Sequence, residues 1–404
     1  MSRRGRADAT GWTRPEEWRD LVVICSGTSW DGARLSDRHL AERLTRYAPV
    51  LYVDPPLSVL TPLRRPELRG SVRRPGLSRL GERLARVTPL APPGVSQPGI
   101  RLLALLATRR AMRAAVRTLG SDVEAVIVGS LDDLLGVCGE RQSVLWGTDD
   151  FASAGALMGI SPEWLGQRET DQLAKATVVT TVSEELATRW RARGKDVSII
   201  SNGCDPAHYA TSASAPLPSD VTLPHPIATF IGHLSDRIDL ARLQEVADRG
   251  HSLLLVGPRQ ATFEIARFEA LLQRPNVQWV GPKPFDELPS YLKVTTVGLT
   301  PYADSRFNRS SFPLKTLEYL AAGKQVVTTD LPSARWLDTD LITITETARE
   351  FGEATSRCLE VGPDSDFARR AMHFARKHDW SVRAADMASL LGLPRAVAQL
   401  ASAE

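Results

Sequence analysis

The stretch between residues 308 and 332 limits what this chain can fold into more than any other. Leucines and small apolar residues recur at helical spacing between Pro313 and Gly323, and the β-branched run 326–329 follows. Proline suits the first turn of a helix, glycine suits the position after its end, and a short β-branched run is typical of a strand buried on both faces. The stretch therefore predicts a helix that leads into a buried parallel strand, the repeating unit of an α/β fold.

The polar side of this predicted helix carries Lys315 and Glu318, three residues apart, and Ser310 or Ser311 can cap its start. The first turn of a helix offers free N–H groups and the positive end of the helix dipole, so a lysine beside it predicts an anion site. A simple ion pair between Lys315 and Glu318 in solvent accounts for the same residues. The pattern alone leaves both interpretations open.

The other apolar runs of the chain follow the same pattern. Each is short, rich in valine, isoleucine or leucine, and ends at a glycine, proline or polar turn, which is typical of strands in a parallel sheet. The predicted strands are 21–26, 50–54, 123–128, 144–146, 176–182 and 197–200, then 227–231, 253–256, 277–280, 297–299 and 341–345. A chain of 404 residues is long enough for two α/β domains, each with its own core.

Helical patterns occupy residues 29–47 and 101–119 of the first half. Between them, residues 61–99 are rich in proline and arginine and show little periodicity. This composition predicts a long loop region with one helix near 77–85.

The stretches that connect these patterns set the expected domain limits. Residues 1–19 have arginines but no apolar segment typical of a secretory signal, so we expect a disordered leader. The two α/β domains are predicted at 20–206 and 227–375, with a linker of small, polar and proline residues at 207–226 and a terminal helix at 376–404. The sequence contains no run of 18 apolar residues, so it predicts no membrane-spanning helix.

The sequence PLKTLEYLAAGKQVVTTDLP resembles the donor-nucleotide motif of GT-B glycosyltransferases, in particular family 4 and the related teichuronic-acid and exopolysaccharide group. SGTSWDG near the start and VVTTVSEEL with NGCD near residue 200 are similar to further signatures of that group. The resemblance implies two Rossmann-like domains with an interdomain cleft, and a terminal helix that crosses back to the first domain. It also implies transfer of a sugar from a nucleotide-diphosphate sugar, with a UDP-sugar favoured, to an acceptor hydroxyl.

The resemblance also assigns residues of the second domain to the donor. Glu318 is expected to hold the ribose hydroxyls, and the residues before it are expected around the diphosphate. These are Ser310, Ser311, Phe312, Pro313, Leu314 and Lys315, with Gly232, His233, Arg237, Arg259 and Tyr302 from the strand-ending turns. Many family-4 enzymes carry a second glutamate where this chain has Ser310.

Asp149 and Asp150 follow the predicted strand 144–146 after two intervening residues, in the turn where parallel sheets place their chemistry. An aspartate there is a candidate general base for an inverting transfer, and we favour Asp150 because Phe151 would shield it. Many retaining family-4 enzymes carry a histidine near this position, so the stereochemistry stays open. The acceptor is expected at Trp30, Asp31, Arg34 and Arg38.

Neither a metal nor a cofactor is expected, because helix N–H groups and cations can offset the charge of a diphosphate co-substrate. Two D-x-D sequences, 338–340 and 364–366, lie outside the predicted strand-ending turns. Four scattered cysteines predict neither a zinc site nor a disulfide framework, which fits a cytoplasmic protein. Two alternatives remain: a UDP-sugar 2-epimerase on the same fold, and a non-catalytic glycosyltransferase-like partner protein. The expected pathways are synthesis of a glycolipid, a cell-envelope polysaccharide or a glycosylated metabolite.

Positive charge is concentrated between residues 61 and 120, where thirteen arginines accompany two glutamates and give a net charge of +11, against +3 for the whole chain. All thirteen lie within 64–117. This region lacks the aromatic residues that stack on bases, which argues against nucleic acid.

In the predicted helix 101–119, Arg109, Arg113 and Arg117 recur every four residues on one side. The residues expected to pack on a sheet share another side: Leu102, Leu105, Leu106, Met112, Val116 and Leu119. A solvated basic face explains these arginines. Contact with anionic lipid is the alternative explanation, and it would make the chain a peripheral protein of the inner membrane face, with a lipid-linked acceptor.

Overall fold

The computed structural model of the chain describes residues 18–94, 97–155, 159–312 and 314–394. Most of the expected leader and the expected donor residue Pro313 lie outside these residues. The described residues form two compact units, each with its own sheet. The first comprises the residues up to Val182, Ala187–Ile200 and those from Arg383, and the second comprises Ser183–Leu186 and Ser201–Val382.

The first unit contains an eight-stranded sheet in its described residues, in the order β3-β4-β2-β1-β5-β6-β7-β8. All neighbours pair in parallel except β3 and β4. The strands are β1 Leu21–Cys25, β2 Val50–Val53, β3 Gly76–Arg79, β4 Leu84–Thr88, β5 Val123–Val128, β6 Gln142–Gly147, β7 Val178–Thr181 and β8 Ser198–Ile199. The central strands β1 and β2 are buried along their whole length, as expected for a sheet covered on both faces.

The described helices of the first 200 residues are α1 Ser36–Leu44, α2 Thr61–Arg64, α3 Arg69–Arg73, α4 Pro98–Leu119, α5 Pro162–Lys175 and α6 Glu184–Arg191. Met112 and Leu119 of α4 pack on the core of the first unit, but Leu102 and Leu106 are about half exposed, so their expected place in the core was wrong.

The helix predicted near 77–85 was also wrong, because β3 and β4 occupy this stretch. β4 pairs in parallel with β2 and is buried throughout. Arg86 is tolerated inside β4 because its guanidinium pairs with Asp31 at 2.9 Å. Such a contact between distant residues cannot be read from local periodicity.

The expected leader extends too far towards the first strand. Trp18, placed in the leader, is only 2% exposed and belongs to the core of the first unit together with Leu21 and Val123. At the other end of the chain, Gln142 of β6 donates a hydrogen bond to the carbonyl of Leu391 at 2.9 Å, within the same unit.

The second unit contains a six-stranded parallel sheet in its described residues, in the order β11-β10-β9-β12-β13-β14. The strands are β9 Ile227–Ile231, β10 Ser252–Val256, β11 Val277–Trp279, β12 Val297–Thr300, β13 Gln325–Thr329 and β14 Ile342–Thr345. Phe230, Leu255 and Val327 are fully buried at the centre of its core.

The helices after residue 200 alternate with these strands. They are α7 Pro206–Ala210, α8 Leu240–Asp248, α9 Ile265–Leu272, α10 Leu288–Val294, α11 Arg306–Ser310, α12 Leu314–Ala321, α13 Pro332–Trp336, α14 Ala348–Val361, α15 Ser365–Arg376 and α16 Trp380–Leu390. The expected linker 207–226 is partly structured: it includes most of α7, and Asp220 accepts hydrogen bonds from Lys283 (2.6 Å) and Tyr291 (2.8 Å).

Candidate functional site

The strand order of the second sheet marks a topological switch point between β9 and β12. From β9 the chain proceeds to β10 and β11 on one side, whereas β12 leads to β13 and β14 on the other. Ligands of open α/β sheets bind where the carboxyl ends of two such strands meet. The segments that follow these ends begin at Gly232 after β9 and at Pro301 after β12.

Two glycines allow the turns after β9 and β10 to approach each other closely. Gly257 has a φ of +137°, and a Cβ atom there would lie 1.9 Å from the carbonyl oxygen of Gly232. The amide of Gly232 donates to the carbonyl of Val256 at 2.9 Å. This edge of the sheet is therefore lined by bare backbone, which an anionic ligand can approach closely.

Arg237 and Asn308 join the two segments of the switch point. Arg237 Nε donates to Asn308 Oδ1 at 3.0 Å, and Asn308 Nδ2 donates back to the carbonyl of Arg237 at 2.8 Å. The guanidinium carbon also lies 4.7 Å from the ring centre of Phe307 and 5.6 Å from that of Tyr302. Arg237 forms no ion pair with any residue that the structure describes, so its charge is not cancelled within the fold.

His233 and Tyr302 also belong to these segments. His233 is exposed, and partial desolvation and then the charge of Arg237 lower the pKa of its imidazole. The backbone of Tyr302 forms a bridge with Ile238, which holds the segment after β12 beside the segment after β9. The structure therefore brings together four of the predicted donor residues: Gly232, His233, Arg237 and Tyr302.

Tyr319 fixes α12 to the sheet. Its hydroxyl accepts a hydrogen bond from the amide of Ile231 at 2.8 Å and donates to the carbonyl of Thr229 at 3.1 Å. The ring fills the space above Gly298, where a Cβ atom would lie 2.2 Å from it. The helix that carries Lys315 and Glu318 is thus anchored to both strands of the switch point.

Glu318 has two close neighbours. Lys315 Nζ lies 2.7 Å from Glu318 Oε2, and only 13% of the Glu318 side chain is exposed. The side chain of Tyr209 on α7 lies near the same carboxylate; burial, followed by the charge of Glu318, raises the pKa of Tyr209 well above its usual range. The ion pair considered from the sequence is present, but it is mostly buried rather than solvated.

The residues before α12 are packed into the second unit. Phe312 is 6% exposed and meets Trp336 edge to face, with ring centres 5.5 Å apart. Ser310 and Ser311 are buried, and Ser311 Oγ donates to the carbonyl of Phe307 at 2.9 Å. Leu314, the first residue of α12, is half-buried.

Arg259 differs from Arg237 because its charge is already paired. Its guanidinium forms an ion pair with Glu269 and lies 4.4 Å from the ring centre of Phe268. These contacts favour a structural role and argue against the predicted contact with the donor.

In the first unit, Asp150 is fully buried and forms an ion pair with Arg189, which also binds Glu169 at 2.6 Å. Asp150 Oδ1 additionally accepts from the amide of Ser153 at 3.1 Å and caps a short 3₁₀ helix. A carboxylate so enclosed cannot reach an acceptor hydroxyl. The preference for Asp150 over Asp149 as general base is therefore corrected; Asp149 is half-buried and remains the candidate.

The four expected acceptor residues follow β1, and each is held by contacts with neighbouring side chains. Trp30 is 9% exposed and lies beneath the guanidinium of Arg38, 4.4 Å from its ring centre. Arg34 and Arg38 both bind Glu42, at 2.5 and 3.1 Å. Asp31 is partly desolvated, but hydrogen bonds from Ser71 and Arg86 outweigh that and lower the pKa of its carboxyl.

Sequence reasoning missed a buried carboxyl at the switch point of the first sheet, between β1 and β5. Asp37 Oδ2 accepts from Ser26 Oγ at 2.7 Å and from the amide of Gly27 at 3.0 Å. A Cβ atom on Gly129, after β5, would lie 3.2 Å from Asp37 Oδ1. Burial raises the pKa of Asp37. The sequence did contain a signal for this site: Asp37 lies in the first turn of a helix that follows a glycine at the end of a strand.

Comparison with known proteins shows what this chain is similar to. Residues 226–361 match the family model described as glycosyl transferases group 1. The chain is 27% identical over 249 residues to the putative teichuronic acid biosynthesis glycosyltransferase TuaH of Bacillus subtilis, covering 59% of this chain and 62% of that protein, which is less than two thirds of its length. Residues 226–361 therefore resemble a group 1 glycosyltransferase domain.

Solved structures show the fold. Sucrose-phosphate synthase from Thermosynechococcus elongatus aligns with a TM-score of 0.70 at 17% identity, covering 92% of this chain and 98% of that one. Anabaena Alr3699/HepE, solved in complex with UDP and glucose, aligns with a TM-score of 0.63 at 14% identity, covering 92% and 99%. The two parallel-sheet, Rossmann-like units are those of the GT-B fold.

All the described donor residues predicted from the sequence lie within residues 226–361, whereas Tyr209, the neighbour of Glu318, precedes them. In the D-x-D sequences, Asp340 pairs with Arg370, and Asp364 caps α15. Among the described residues, no group of three or more His, Cys, Asp and Glu side chains could hold a metal ion. No described helix has both the length and the apolar character needed to cross a bilayer.

Proposed function

We propose that this chain transfers a sugar from a UDP-sugar to an acceptor hydroxyl. The diphosphate occupies the switch point of the second sheet, between the turn at Gly232 and the first turn of α12. Arg237 and His233 face its charge. Glu318, beside Tyr209 and Lys315, receives the ribose hydroxyls. Backbone amides and these cations offset the diphosphate charge without a metal.

The observation that carries this proposal is the uncancelled charge of Arg237 at the switch point. Asn308 fixes the guanidinium through a neutral amide, so its orientation is set while its charge remains available. A structural arginine such as Arg259 has an acidic partner instead. Arginine suits phosphate because its planar guanidinium presents several donors in a fixed geometry.

The choice of UDP rests on similarity alone. The Anabaena protein was solved with UDP and glucose, and its fold is shared by this chain. Calorimetric titration of the protein with UDP, GDP and ADP tests the choice directly. Preferential binding of UDP supports the proposal, and preferential binding of another nucleotide redirects the donor while leaving the site in place.

Turnover separates an enzyme from a non-catalytic relative. Release of UDP from a UDP-sugar, with and without acceptor, measures transfer and background hydrolysis. Binding of UDP with no release from any of a panel of UDP-sugars and acceptors would favour the non-catalytic partner. For the acceptor we propose the first unit, with Asp149 as the group that removes the hydroxyl proton. We further propose that the product belongs to a cell-envelope polysaccharide or a glycolipid.

A further inference from the structure

Helix α4 exposes three leucines, two of which, Leu102 and Leu106, the sequence pattern had assigned to the core. Leu102, Leu103 and Leu106 are 57%, 52% and 49% exposed. The opposite side of the helix, with Met112, Ala115 and Leu119, is buried in the core of the first unit. Three neighbouring exposed leucines on one helix form an apolar patch, which in soluble proteins often marks an interaction surface.

The same face of α4 carries arginines in its second half. Arg110, Arg113 and Arg117 are exposed, and at 100° per residue they project on the side of Leu102, Leu103 and Leu106. Together with Leu106 and Arg109 they line a groove of about 390 Å³. The sequence of α4 contains no acidic residue that could offset this charge.

Only part of this charge is used within the fold. Arg109 is paired with Asp133 at 2.6 Å, and Arg113 Nε donates to the carbonyl of Val137 at 3.0 Å. Arg110 and Arg117 make no hydrogen bond or ion pair with any residue in the described part of the chain. Their charge is available to an anionic partner.

An exposed tryptophan lies beside the first turn of α4. Trp164, at the start of α5, is 38% exposed, and the guanidinium of Arg101 lies 4.4 Å from its ring centre. Tryptophan and arginine have an apolar body and a polar end, which suits both to the boundary between lipid and water.

We propose that this face of α4, defined by Leu102, Leu103, Leu106, Arg110, Arg113 and Arg117, docks on a membrane that contains anionic lipid. The helix is about 33 Å long and lies flat on the bilayer. Its leucines enter the boundary of the acyl chains, and its arginines bind lipid phosphates. The surface combines apolar contact with charge complementarity, which a solvated basic face lacks.

Co-sedimentation with vesicles tests this proposal. The full chain is mixed with vesicles of phosphatidylcholine alone, or of phosphatidylcholine and phosphatidylglycerol in equal parts. We expect binding to the mixed vesicles that weakens as salt screens the arginines. Arg110→Gln combined with Arg117→Gln should weaken it roughly 30-fold, at about fivefold for each arginine.

Two further variants make the test specific. Arg349→Gln combined with Arg369→Gln removes the same net charge from exposed positions in the second unit and should bind vesicles like the unmodified protein. Leu102→Ser combined with Leu103→Ser should weaken binding while leaving its salt dependence in place. Circular dichroism establishes that each variant is folded, and the leucine variant keeps the test decisive if the arginine variant does not fold.

Equal binding to neutral and mixed vesicles, no binding at low salt, or equal loss in the control pair would overturn the proposal. So would binding of a single-stranded oligonucleotide that depends on Arg110 and Arg117 in the absence of vesicle binding. Vesicle binding is measured without sugar nucleotide, so an absence of vesicle binding would not contradict the proposed donor site.

Discussion

Arg237 and Asn308 form two hydrogen bonds with each other. Arg237 lies in the segment after β9 and Asn308 in the segment after β12, the two strands between which the strand order of the second sheet reverses. The arginine donates through Nε at 3.0 Å, and the asparagine amide donates back to the arginine carbonyl at 2.8 Å. Asn308 is 2% exposed, so its amide has a fixed position. A neutral partner orients the guanidinium and leaves its charge for a ligand.

Replacing Arg237 by Gln should weaken UDP binding. Loss of a charged hydrogen bond costs about 1.5–3 kcal/mol, or roughly 10- to 150-fold in affinity. Calorimetric titration with UDP measures this loss of affinity. The matched control is Arg259→Gln, which removes an arginine already paired with Glu269 and should change affinity little. Equal losses in both variants would contradict the distinction between the two arginines.

The proposed contact of Glu318 with the ribose can be tested by changing either the residue or the ribose. Glu318→Gln should lower affinity for UDP by about 10-fold or more, and 2′-deoxy-UDP should bind the unmodified protein more weakly than UDP. In the variant this preference should be largely lost, because the group that accepts from the ribose has changed. Tyr209→Phe should have a smaller effect in the same direction. A variant that still prefers UDP over 2′-deoxy-UDP to the full extent would remove Glu318 from the ribose site.

The two neighbouring aspartates should separate into different roles. Asp150→Asn breaks a buried ion pair with Arg189 and should lower the free energy of unfolding by about 3–5 kcal/mol. Asp149→Asn should cut turnover at least about 100-fold if Asp149 is the general base. Urea denaturation and UDP release measure the two effects. Normal turnover by a folded Asp149→Asn protein would place the base elsewhere or favour a retaining reaction.

His233 should make donor binding depend on pH. In the ligand-free protein, desolvation and Arg237 lower the pKa of His233 below its ordinary value. A bound diphosphate favours the imidazolium and raises that pKa, so binding takes up a proton between the two values. Affinity for UDP should therefore rise as the pH falls through this window and level off below the free-protein pKa. His233→Gln should flatten the profile, and an unchanged profile would place the diphosphate away from His233.

Local pattern was sufficient for most of the strands. β9 is found where the apolar run 227–231 predicted it, and β13 extends the predicted run by one residue. Such runs are informative because a strand buried on both faces must be apolar along its length. The helix before β13 was equally visible, since its leucines recur at helical spacing, and Leu317 and Leu320 are fully buried.

Local pattern failed where a distant partner decided the structure. Residues 77–85 were predicted as a helix, but β4 pairs with β2 from a much earlier part of the chain, and the buried Arg86 of β4 pairs with Asp31. Asp150 read as a possible base because the sequence does not show Arg189 beside it. Leu102 and Leu106 satisfied a helical pattern, but periodicity cannot tell a face that meets a core from one that meets a partner.

The sequence by itself determined the fold class, the two α/β units and the helix that carries Glu318, because these follow from short-range periodicity, turn residues and one recognisable motif. Only the tertiary structure decided which charges are free. Arg237 and Arg259 both follow strands of the same sheet, but one meets an amide and the other a carboxylate. Asn308 lies 71 residues from Arg237 in the chain, and electrostatic interactions depend on distance in space rather than in sequence.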